Sequence, residues 1–203
     1  MSKFRGVKTN NAKNKSKIQI RENVLSLFKN ERNVLEVFCG DGKMYRDVWK
    51  KGDKYTGIDI VEFNDERETI QGDSKEVLNS LDIDRYNIFD IDAYGSPYEE
   101  LSIILKKLDR NKYNEYAFII TDGLGIDLKM GNIAHSLRSI LDIKSSKIKN
   151  AHKLHEVFIQ KIVDKLIKNF NNIKETKFYH TKGITGANMR YYSIYINLQN
   201  CKD

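Results

Sequence analysis

The sequence predicts a single α/β domain built on a mostly parallel, seven-stranded sheet with helices on both faces. Two observations carry this prediction. Short apolar runs typical of buried strands alternate with segments of helical periodicity along the first two thirds of the chain, an alternation characteristic of βαβ units. The last third has a helical pattern followed by two strand patterns. We therefore expect an antiparallel terminal strand to complete the sheet.

Each element follows from local pattern. The predicted strands are runs of apolar and β-branched residues between turn signals, and they span residues 33–39, 55–60, 68–71, 86–92, 116–121, 173–180 and 190–198. The predicted helices carry apolar side chains at three- and four-residue spacing, and they span residues 18–29, 43–51, 74–81, 97–109, 131–141 and 151–170. Pro97 suits the first position of its helix, where no backbone N–H is needed.

The composition is that of an ordinary globular protein. The chain has 203 residues, of which 40% are hydrophobic and 31% charged, enough for one domain with a substantial core. No run approaches the roughly 18 apolar residues that cross a bilayer, and the basic N-terminus is not followed by the apolar segment of a secretory signal. Cys39 and Cys201 are too few for a disulfide framework or a zinc ribbon. We expect a reduced, cytoplasmic protein with no metal site and no membrane partner.

Positive charge is concentrated at the N-terminus. The formal net charge is +7, and the first 17 residues carry no acid but six basic side chains: Lys3, Arg5, Lys8, Lys13, Lys15 and Lys17. We predict a basic tail over residues 1–17 and a folded domain over residues 18–203. Such a tail attracts phosphates through counterion release, although a merely solvated Lys/Asn-rich terminus has the same composition.

Unusual residues follow four of the predicted strands, at the edge where open α/β sheets bind ligands. The first set is the glycine-rich segment Glu36-Val-Phe-Cys-Gly40-Asp-Gly42. Its two glycines permit a tight turn and close approach of the backbone to a ligand. A dinucleotide fingerprint has a third glycine where this chain has Tyr45, so the sequence disfavours NAD.

Acids follow the second and third strands. Asp59 lies about twenty residues after the glycines, a position suited to the hydroxyls of a ribose; the alternative is a carboxylate that caps the loop. Asp73 and Ser74 follow the third strand. Asp73 can accept from an adenine amino group, or it can be the N-cap of the next helix with Glu76 in capping-box spacing. Both roles can hold together.

The fourth strand ends in the densest set of functional residue types, Asp90-Ile-Asp92-Ala-Tyr94-Gly95-Ser96-Pro97. The turn is expected to place Asp92 and the backbone carbonyl of Ala93 beside the ring of Tyr94, with Asp90 supporting the turn. Hydrogen-bond acceptors beside a stacking surface suit a planar base that carries an exocyclic amine. Asp122, after the fifth strand, is a second candidate for the same cleft.

Taken in order, these motifs resemble the class I S-adenosylmethionine-dependent methyltransferases. That family's glycine-rich motif resembles Glu36–Gly42, its ribose-binding acid Asp59, its adenine-contacting acid Asp73 and its catalytic tetrapeptide Asp92–Gly95. The segment DIDAYGSP is similar to the DLDPFGSP-type signature of the tRNA guanine-N2 dimethyltransferases, and Thr121-Asp122 is similar to their Thr-Asp segment. Ala93 stands where that signature has proline, and neither the usual N-terminal Asn-Arg-Asp segment nor the additional C-terminal RNA-binding domain is apparent.

The resemblance implies a Rossmann-like methyltransferase fold with S-adenosylmethionine as the cofactor. The cofactor-binding residues it implies are Glu36, Gly40, Gly42, Asp59, Asp73 and Ser74, and the catalytic residues are Asp92, Ala93 and Tyr94. It implies methylation of an exocyclic amino nitrogen of a nucleobase, with RNA, as in tRNA processing, favoured over DNA. The alternatives are a DNA amino-methyltransferase and a nucleic-acid-binding module that keeps the fold without methyl transfer. A small-molecule or protein substrate is a third possibility.

Overall fold

Seven strands form one sheet in the computed structural model, which describes residues 14–182 and 189–199. The strands are β1 (Asn33–Val37), β2 (Lys54–Asp59), β3 (Thr69–Gln71), β4 (Ile88–Ile91), β5 (Glu115–Asp122), β6 (Ile173–Lys182) and β7 (Arg190–Leu198). Their order across the sheet is β3-β2-β1-β4-β5-β7-β6. The strand order reverses direction between β1 and β4, which is where such sheets form a ligand crevice at the carboxyl edge.

Strands β1 to β5 are parallel, and β7 runs antiparallel to both of its neighbours. The predicted antiparallel terminal strand is therefore confirmed, although it lies between β5 and β6 and not at the edge of the sheet. Strand β5 has a strand on each side and helices over both faces of the sheet, and every one of its residues is buried. A strand covered on both faces needs a near-continuous apolar run, and the segment 116–121 supplies one.

Helices cover both faces of the sheet, as the sequence predicts. They are α1 (Asn14–Leu27), α2 (Lys43–Asp47), α3 (Ser74–Ser80), α4 (Tyr98–Lys107), α5 (Gly125–Lys129), α6 (His135–Leu141) and α7 (His155–Ile167). Helices α1 and α2 share one buried cluster, in which Val24 and Trp49 pack against β1, β4, β5 and β7. The other helices bury their apolar residues in a second cluster on the opposite face.

Several helix boundaries differ from the predicted ones. Helix α1 begins at Asn14, inside the segment that the sequence assigns to a tail, and residues 1–13 lie outside the described residues. Pro97 is the N-cap of α4 and not its first residue. The predicted helix over 131–141 begins only at His135, because Gly131 has a φ of 79° and Asn132 forms a β-bridge with Lys147.

Within residues 14–182 and 189–199, no helix is long and apolar enough to cross a membrane. The same residues contain no group of three or more His, Cys, Asp or Glu side chains that could hold a metal ion. Cys39 is buried with a free thiol, and Cys201 lies outside the described residues.

Candidate functional site

Backbone hydrogen bonds join the ends of β1, β2 and β4 into one edge. The N–H of Asp92 donates to the carbonyl of Val37 (3.1 Å), and the N–H of Phe38 donates to the carbonyl of Ile58 (2.8 Å). The N–H of Gly40 donates to Oδ2 of Asp59 (2.9 Å). Three of the four predicted sites therefore meet at the point where the strand order reverses.

The glycine-rich loop is shaped by left-handed residues. Phe38, Gly40 and Gly42 have φ angles of 67°, 50° and 75°. A Cβ at Gly40 would meet no atom within 4 Å, whereas a Cβ at Gly42 would lie 2.6 Å from Cζ of Arg67. Gly40 thus borders open space, and Gly42 makes room for the Arg67 guanidinium, which donates to the carbonyl of Gly40 (3.0 Å). The left-handed conformation of Phe38 was not predictable, because residues with side chains disfavour it.

Asp59 caps the loop and keeps capacity for a ligand. Its two oxygens accept from different backbone groups, Oδ2 from Gly40 and Oδ1 from Val61 (3.0 Å). A carboxylate has about four lone-pair positions, so further donors can still bind to it. The loop-capping alternative therefore occurs in the structure, and it does not compete with a ribose-binding role.

Asp73 and Ser74 are both used within the fold. Oδ1 of Asp73 accepts from the N–H groups of Lys75 (3.0 Å) and Glu76 (3.4 Å), so Asp73 is the N-cap of α3. Ser74 is buried, and its hydroxyl donates to Oε1 of Glu100 on α4 (2.9 Å). Asp73 remains exposed at the sheet edge, whereas Ser74 links two helices.

Glu36 lies in the interior of the sheet. Its side chain is buried, and Oε2 accepts from the hydroxyl of Tyr55 (2.6 Å). Burial raises the pKa of Glu36 well above its usual range, and the nearby Asp90 carboxylate raises it further. Both effects favour the protonated form, so Glu36 acts beneath the loop and not on its surface.

The raised pKa of Glu36 makes stability depend on pH. Ionising this side chain in the folded protein is unfavourable. The contribution of Glu36 to the free energy of unfolding therefore falls as the pH rises above its ordinary pKa of 4.5. Glu36→Gln keeps an acceptor for Tyr55 but cannot ionise. We expect the variant to gain free energy of unfolding relative to wild type as the pH rises from 4.5, by up to about 1.4 kcal/mol per pH unit. Urea titrations at several pH values check this, and a difference independent of pH would contradict it.

A buried ion pair holds the end of β4. Nε and Nη2 of Arg21, on α1, donate to Oδ2 and Oδ1 of Asp90 at 2.6 and 2.7 Å, and Nε1 of Trp49 donates to Oδ2 at 2.8 Å. All three side chains are fully buried. Burial raises the pKa of Asp90, and Arg21 opposes that shift. Asp90 therefore supports the turn after β4, as expected, by binding Arg21 of helix α1.

Asp92 lies against the same helix. Nζ of Lys17 is 2.5 Å from Oδ1 and 2.9 Å from Oδ2 of Asp92, and Nη2 of Arg21 is 3.7 Å from Oδ2. Burial alone would raise the pKa of Asp92, but the charges of Lys17 and Arg21, with a hydrogen bond from Thr121, bring it below its ordinary value. The site therefore contains an ionised carboxylate at the carboxyl edge of β4.

The turn after β4 (residues 92–97, the β4 turn) is fixed from β5 and α6. The N–H of Gly123 donates to the carbonyl of Gly95 (2.8 Å), and the hydroxyls of Ser96 and Ser136 are 2.6 Å apart. Ala93 is buried, whereas Tyr94 is 65% exposed. An exposed aromatic ring on a fixed turn is available for stacking on a planar partner.

Comparisons with known proteins bear on the fold. No protein-family model and no curated protein matches the sequence. Among solved structures, the chain is similar to the plantazolicin methyltransferase BpumL in complex with SAH, with 15% identity over 91% of this chain and 82% of that one and a TM-score of 0.51. A SAM-dependent methyltransferase from Archaeoglobus fulgidus shares 16% identity, over 90% and 92% of the two chains, with a TM-score of 0.52. A putative hemolysin from Lactococcus lactis shares 17%, over 91% and 88%, with a TM-score of 0.55.

This chain has a Rossmann-like methyltransferase fold. The candidate residues lie at the carboxyl edge of that fold. The described residues also form two open cavities, of about 410 Å³ beside Arg138 and about 580 Å³ beside Glu115. Neither cavity is lined by the candidate site residues.

Two cations of the site were not evident from the sequence patterns, which place Lys17 in the basic tail and give Arg21 no role. A signal is nevertheless present, because Arg21 directly follows the buried Ile20 and Lys17 lies one helical turn before it. A cation beside the apolar stripe of a helix needs a buried carboxylate as its partner. In this methyltransferase fold, the partner of Arg21 is Asp90.

Asp122 does not lie in the expected cleft. It is fully buried, accepting from the Tyr98 hydroxyl, from Nε2 of His155 (2.9 Å) and from the N–H of Leu124 (2.8 Å). Tyr98 belongs to the cluster on the face opposite α1. Side chains alternate between faces along a strand, so Asp122 stabilises the far side of the methyltransferase fold.

Proposed function

We propose that this protein is an S-adenosylmethionine-dependent methyltransferase acting on an exocyclic amino nitrogen of a nucleobase, with RNA as the substrate. The observation that carries the proposal is the ionised Asp92 carboxylate at the same sheet edge as Gly40 and Asp59. The open space over Gly40 and the spare acceptor positions of Asp59 and Asp73 fit an adenosyl group.

Three residues of the β4 turn, Asp92, Ala93 and Tyr94, have separate parts in the reaction. S-adenosylmethionine, when bound, supplies a methyl group on a sulfonium, which is a good leaving group. Asp92 accepts a hydrogen bond from the acceptor amine and aims its lone pair, and the carbonyl of Ala93 is a second acceptor. The exposed ring of Tyr94 stacks on the base. The main contribution of Asp92 is to orient the amine, and the proton that the methylated nitrogen releases passes to water.

Two of the residues expected to bind cofactor have supporting roles in this proposal. Glu36 is bonded to Tyr55 beneath the glycine-rich loop, and Ser74 is bonded to Glu100 between two helices. Both side chains are buried, so each stabilises a segment that faces the cofactor and does not itself contact it.

A basic surface next to α6, the helix that contacts the β4 turn, supports a nucleic-acid substrate. The basic segment, residues 144–153, carries four lysines (Lys144, Lys147, Lys149 and Lys153) and His152 but no acid. Its lysines are exposed, and none lies within 4 Å of a carboxylate in the described part of the chain. The segment pairs with residues 131–133. It also borders the cavity at α6, whose Ser136 contacts the β4 turn. Such a surface attracts phosphates.

Reversing charge on the basic segment is expected to weaken RNA binding. For Lys147→Glu combined with Lys149→Glu, we expect a loss of more than about tenfold at low salt. In a plot of the logarithm of the association constant against the logarithm of salt concentration, the slope should become less steep by about 0.7 for each phosphate of a single strand that the variant fails to neutralise. Filter binding across a salt series measures both. Lys106→Glu with Lys168→Glu makes the same charge change on exposed lysines of α4 and the end of α7, and equal losses in the two double variants would contradict the assignment.

Two glycines near the β4 turn form a matched pair for testing its role. A Cβ at Gly123 would lie 2.3 Å from the carbonyl oxygen of Tyr94, whereas a Cβ at Gly95 would meet nothing within 4 Å. We expect Gly123→Ala to shift the turn and lower the methylation rate by about tenfold or more, since small misplacements in an active site have large effects. Gly95→Ala should remain close to wild type. Initial rates, with melting temperatures as a check on folding, test the contrast.

The decisive experiment separates cofactor binding from methyl transfer. Calorimetric titration with S-adenosylmethionine and S-adenosylhomocysteine tests the first. Incubation with methyl-labelled cofactor and mixed tRNA, rRNA and DNA, followed by nucleoside mass spectrometry, tests the second. Labelled N-methyl nucleosides from RNA support the proposal, and label in DNA alone favours a DNA enzyme. Cofactor binding without any labelling favours the non-catalytic nucleic-acid-binding module.

A peptide acceptor is the second candidate. Several solved structures of similar fold are plantazolicin methyltransferases in complex with desmethylPZN analogs and SAH. Adding a peptide mixture with free amino groups to the labelling reaction distinguishes the two substrates, since label on peptide and none on nucleic acid would replace the nucleobase proposal.

A further inference from the structure

The side chain of Lys17 already places an amine against the Asp92 carboxylate. Nζ lies within hydrogen-bond distance of both oxygens, at 2.5 and 2.9 Å. The same Nζ is 5.5 Å from the ring centroid of Tyr191 on β7. A carboxylate facing an aromatic ring is a general arrangement for holding an ammonium group, and the carboxylate by itself accepts hydrogen bonds from any N–H donor. Lys17 therefore marks an amine subsite formed by Asp92 and Tyr191.

The charges around this subsite allow Lys17 to leave. Arg21 and Asp90 form a complete pair of their own, with both Asp90 oxygens bonded to the guanidinium. Arg21 is also 3.7 Å from Asp92, and the side chain of Thr121 donates a further hydrogen bond to that carboxylate. Removing the Lys17 ammonium therefore does not leave the Asp92 carboxylate without a cation nearby.

The partial exposure of the Lys17 side chain also favours movement. The Lys17 side chain is 19% exposed, whereas Arg21, one turn later, is fully buried. Lys17 can withdraw by rotating its side chain, while Arg21 keeps α1 attached to β4.

We propose that Lys17 is an internal occupant of the amine subsite, and that the acceptor amine binds to Asp92 by displacing it. The identity of that amine as a nucleobase amino group rests on the proposed function, but the subsite itself does not. An amino or ammonium group is its ligand class. Binding of substrate is then an exchange of one amine for another at Asp92, which penalises ligands that lack an N–H donor.

The first experiment probes the subsite without cofactor or nucleic acid. Lys17→Ala removes the internal amine, and ethylammonium chloride is the probe. We expect millimolar ethylammonium to raise the melting temperature of Lys17→Ala above the value in sodium chloride of equal ionic strength. Wild type, in which Lys17 fills the subsite, and the double variant Lys17→Ala, Asp92→Asn should show no such difference. Equal melting temperatures of Lys17→Ala in the two salts would overturn the subsite.

The second experiment uses the wild-type chain and does not depend on any variant folding. Lysines are acetylated with an N-hydroxysuccinimide ester, and the rates at Lys17 and at the exposed Lys15 are compared by mass spectrometry. Lys17 should react several times more slowly than Lys15. Addition of tRNA with S-adenosylhomocysteine should raise the Lys17 rate at least about threefold relative to Lys15. A Lys17 that stays protected while the same tRNA is methylated in the labelling reaction would overturn displacement.

The two proposals fail in distinguishable ways. If the chain binds no S-adenosylmethionine and labels no acceptor, the proposed function fails, and the ethylammonium result still decides the subsite. If cofactor binds and RNA is labelled but ethylammonium has no specific effect, only the assignment of Lys17 fails.

Discussion

Asp92→Ala is expected to lower the methylation rate by at least about 100-fold while S-adenosylmethionine still binds. The substitution removes the group that orients the acceptor amine. It also leaves the charges of Lys17 and Arg21, which lie 2.5 and 3.7 Å from the carboxylate, without that partner. Positive charge develops on the acceptor nitrogen during the transfer, so unpaired positive charge beside that nitrogen raises the barrier further. Initial rates with methyl-labelled cofactor, alongside calorimetric titration of cofactor, measure the two effects separately.

Two comparisons sharpen this result. Asp92→Asn keeps the shape of the side chain and one acceptor oxygen, so it should retain more activity than Asp92→Ala. Asp127→Ala removes an exposed carboxylate on the nearby helix α5 and should leave the rate within about twofold, as surface substitutions usually do. A rate for Asp92→Ala close to wild type, with cofactor bound, would remove Asp92 from the mechanism.

Arg21→Met is expected to destabilise the protein by about 3–5 kcal/mol, because it leaves the Asp90 carboxylate buried without a cation. The pair is fully buried, with nitrogen–oxygen distances of 2.6 and 2.7 Å. Chemical denaturation followed by far-ultraviolet circular dichroism measures the free energy of unfolding. Combining Arg21→Met with Asp90→Asn should recover part of the loss, because the amide carries no charge and its oxygen can still accept from Trp49.

The exposed pair between Arg32 and Asp53 is the matched control. Its hydrogen-bond distances of about 3.1 Å resemble those of a good ion pair, but its side chains are 34% and 46% exposed. Water screens such a pair, so Arg32→Met should change stability by less than about 1 kcal/mol. Similar losses at Arg21 and Arg32 would show that burial of the Arg21–Asp90 pair does not set its importance.

The sheet and the meeting of the strand ends were predictable from the sequence because both depend on local patterns. Apolar runs alternating with helical periodicity specify parallel strands, and parallel strands place Gly40, Asp59 and Asp92 at one edge. The roles of Lys17 and Arg21 were not predictable in this way, since they arise from the docking of α1 onto β4. The sequence of residues 14–27 alone does not predict which carboxylates α1 will contact.

The placement of Asp122 shows a second limit. The alternation of side chains along β4 and β5 is evident in each strand alone, but the relative faces of Asp90 and Asp122 depend on register. The structure pairs Asp90 with Ile119 and Ile91 with Ile120. This register puts Asp122 on the same face as Ile120 and opposite Asp90. A shift of one residue would have exchanged the two faces.

The inner position of β7 has a consequence for how the molecule is made. Strand β6 is synthesised before β7, yet within the described ranges its partner strand is β7 alone, and β5 also has one side unpaired until β7 is made. A nascent chain that has emerged as far as β6 therefore presents open backbone donors and acceptors, the condition that invites association with other chains. Tyr191, the aromatic residue of the amine subsite, also belongs to β7. The subsite is therefore completed only when β7 joins the sheet, and a ribosome-bound fragment that lacks β7 has no complete amine subsite.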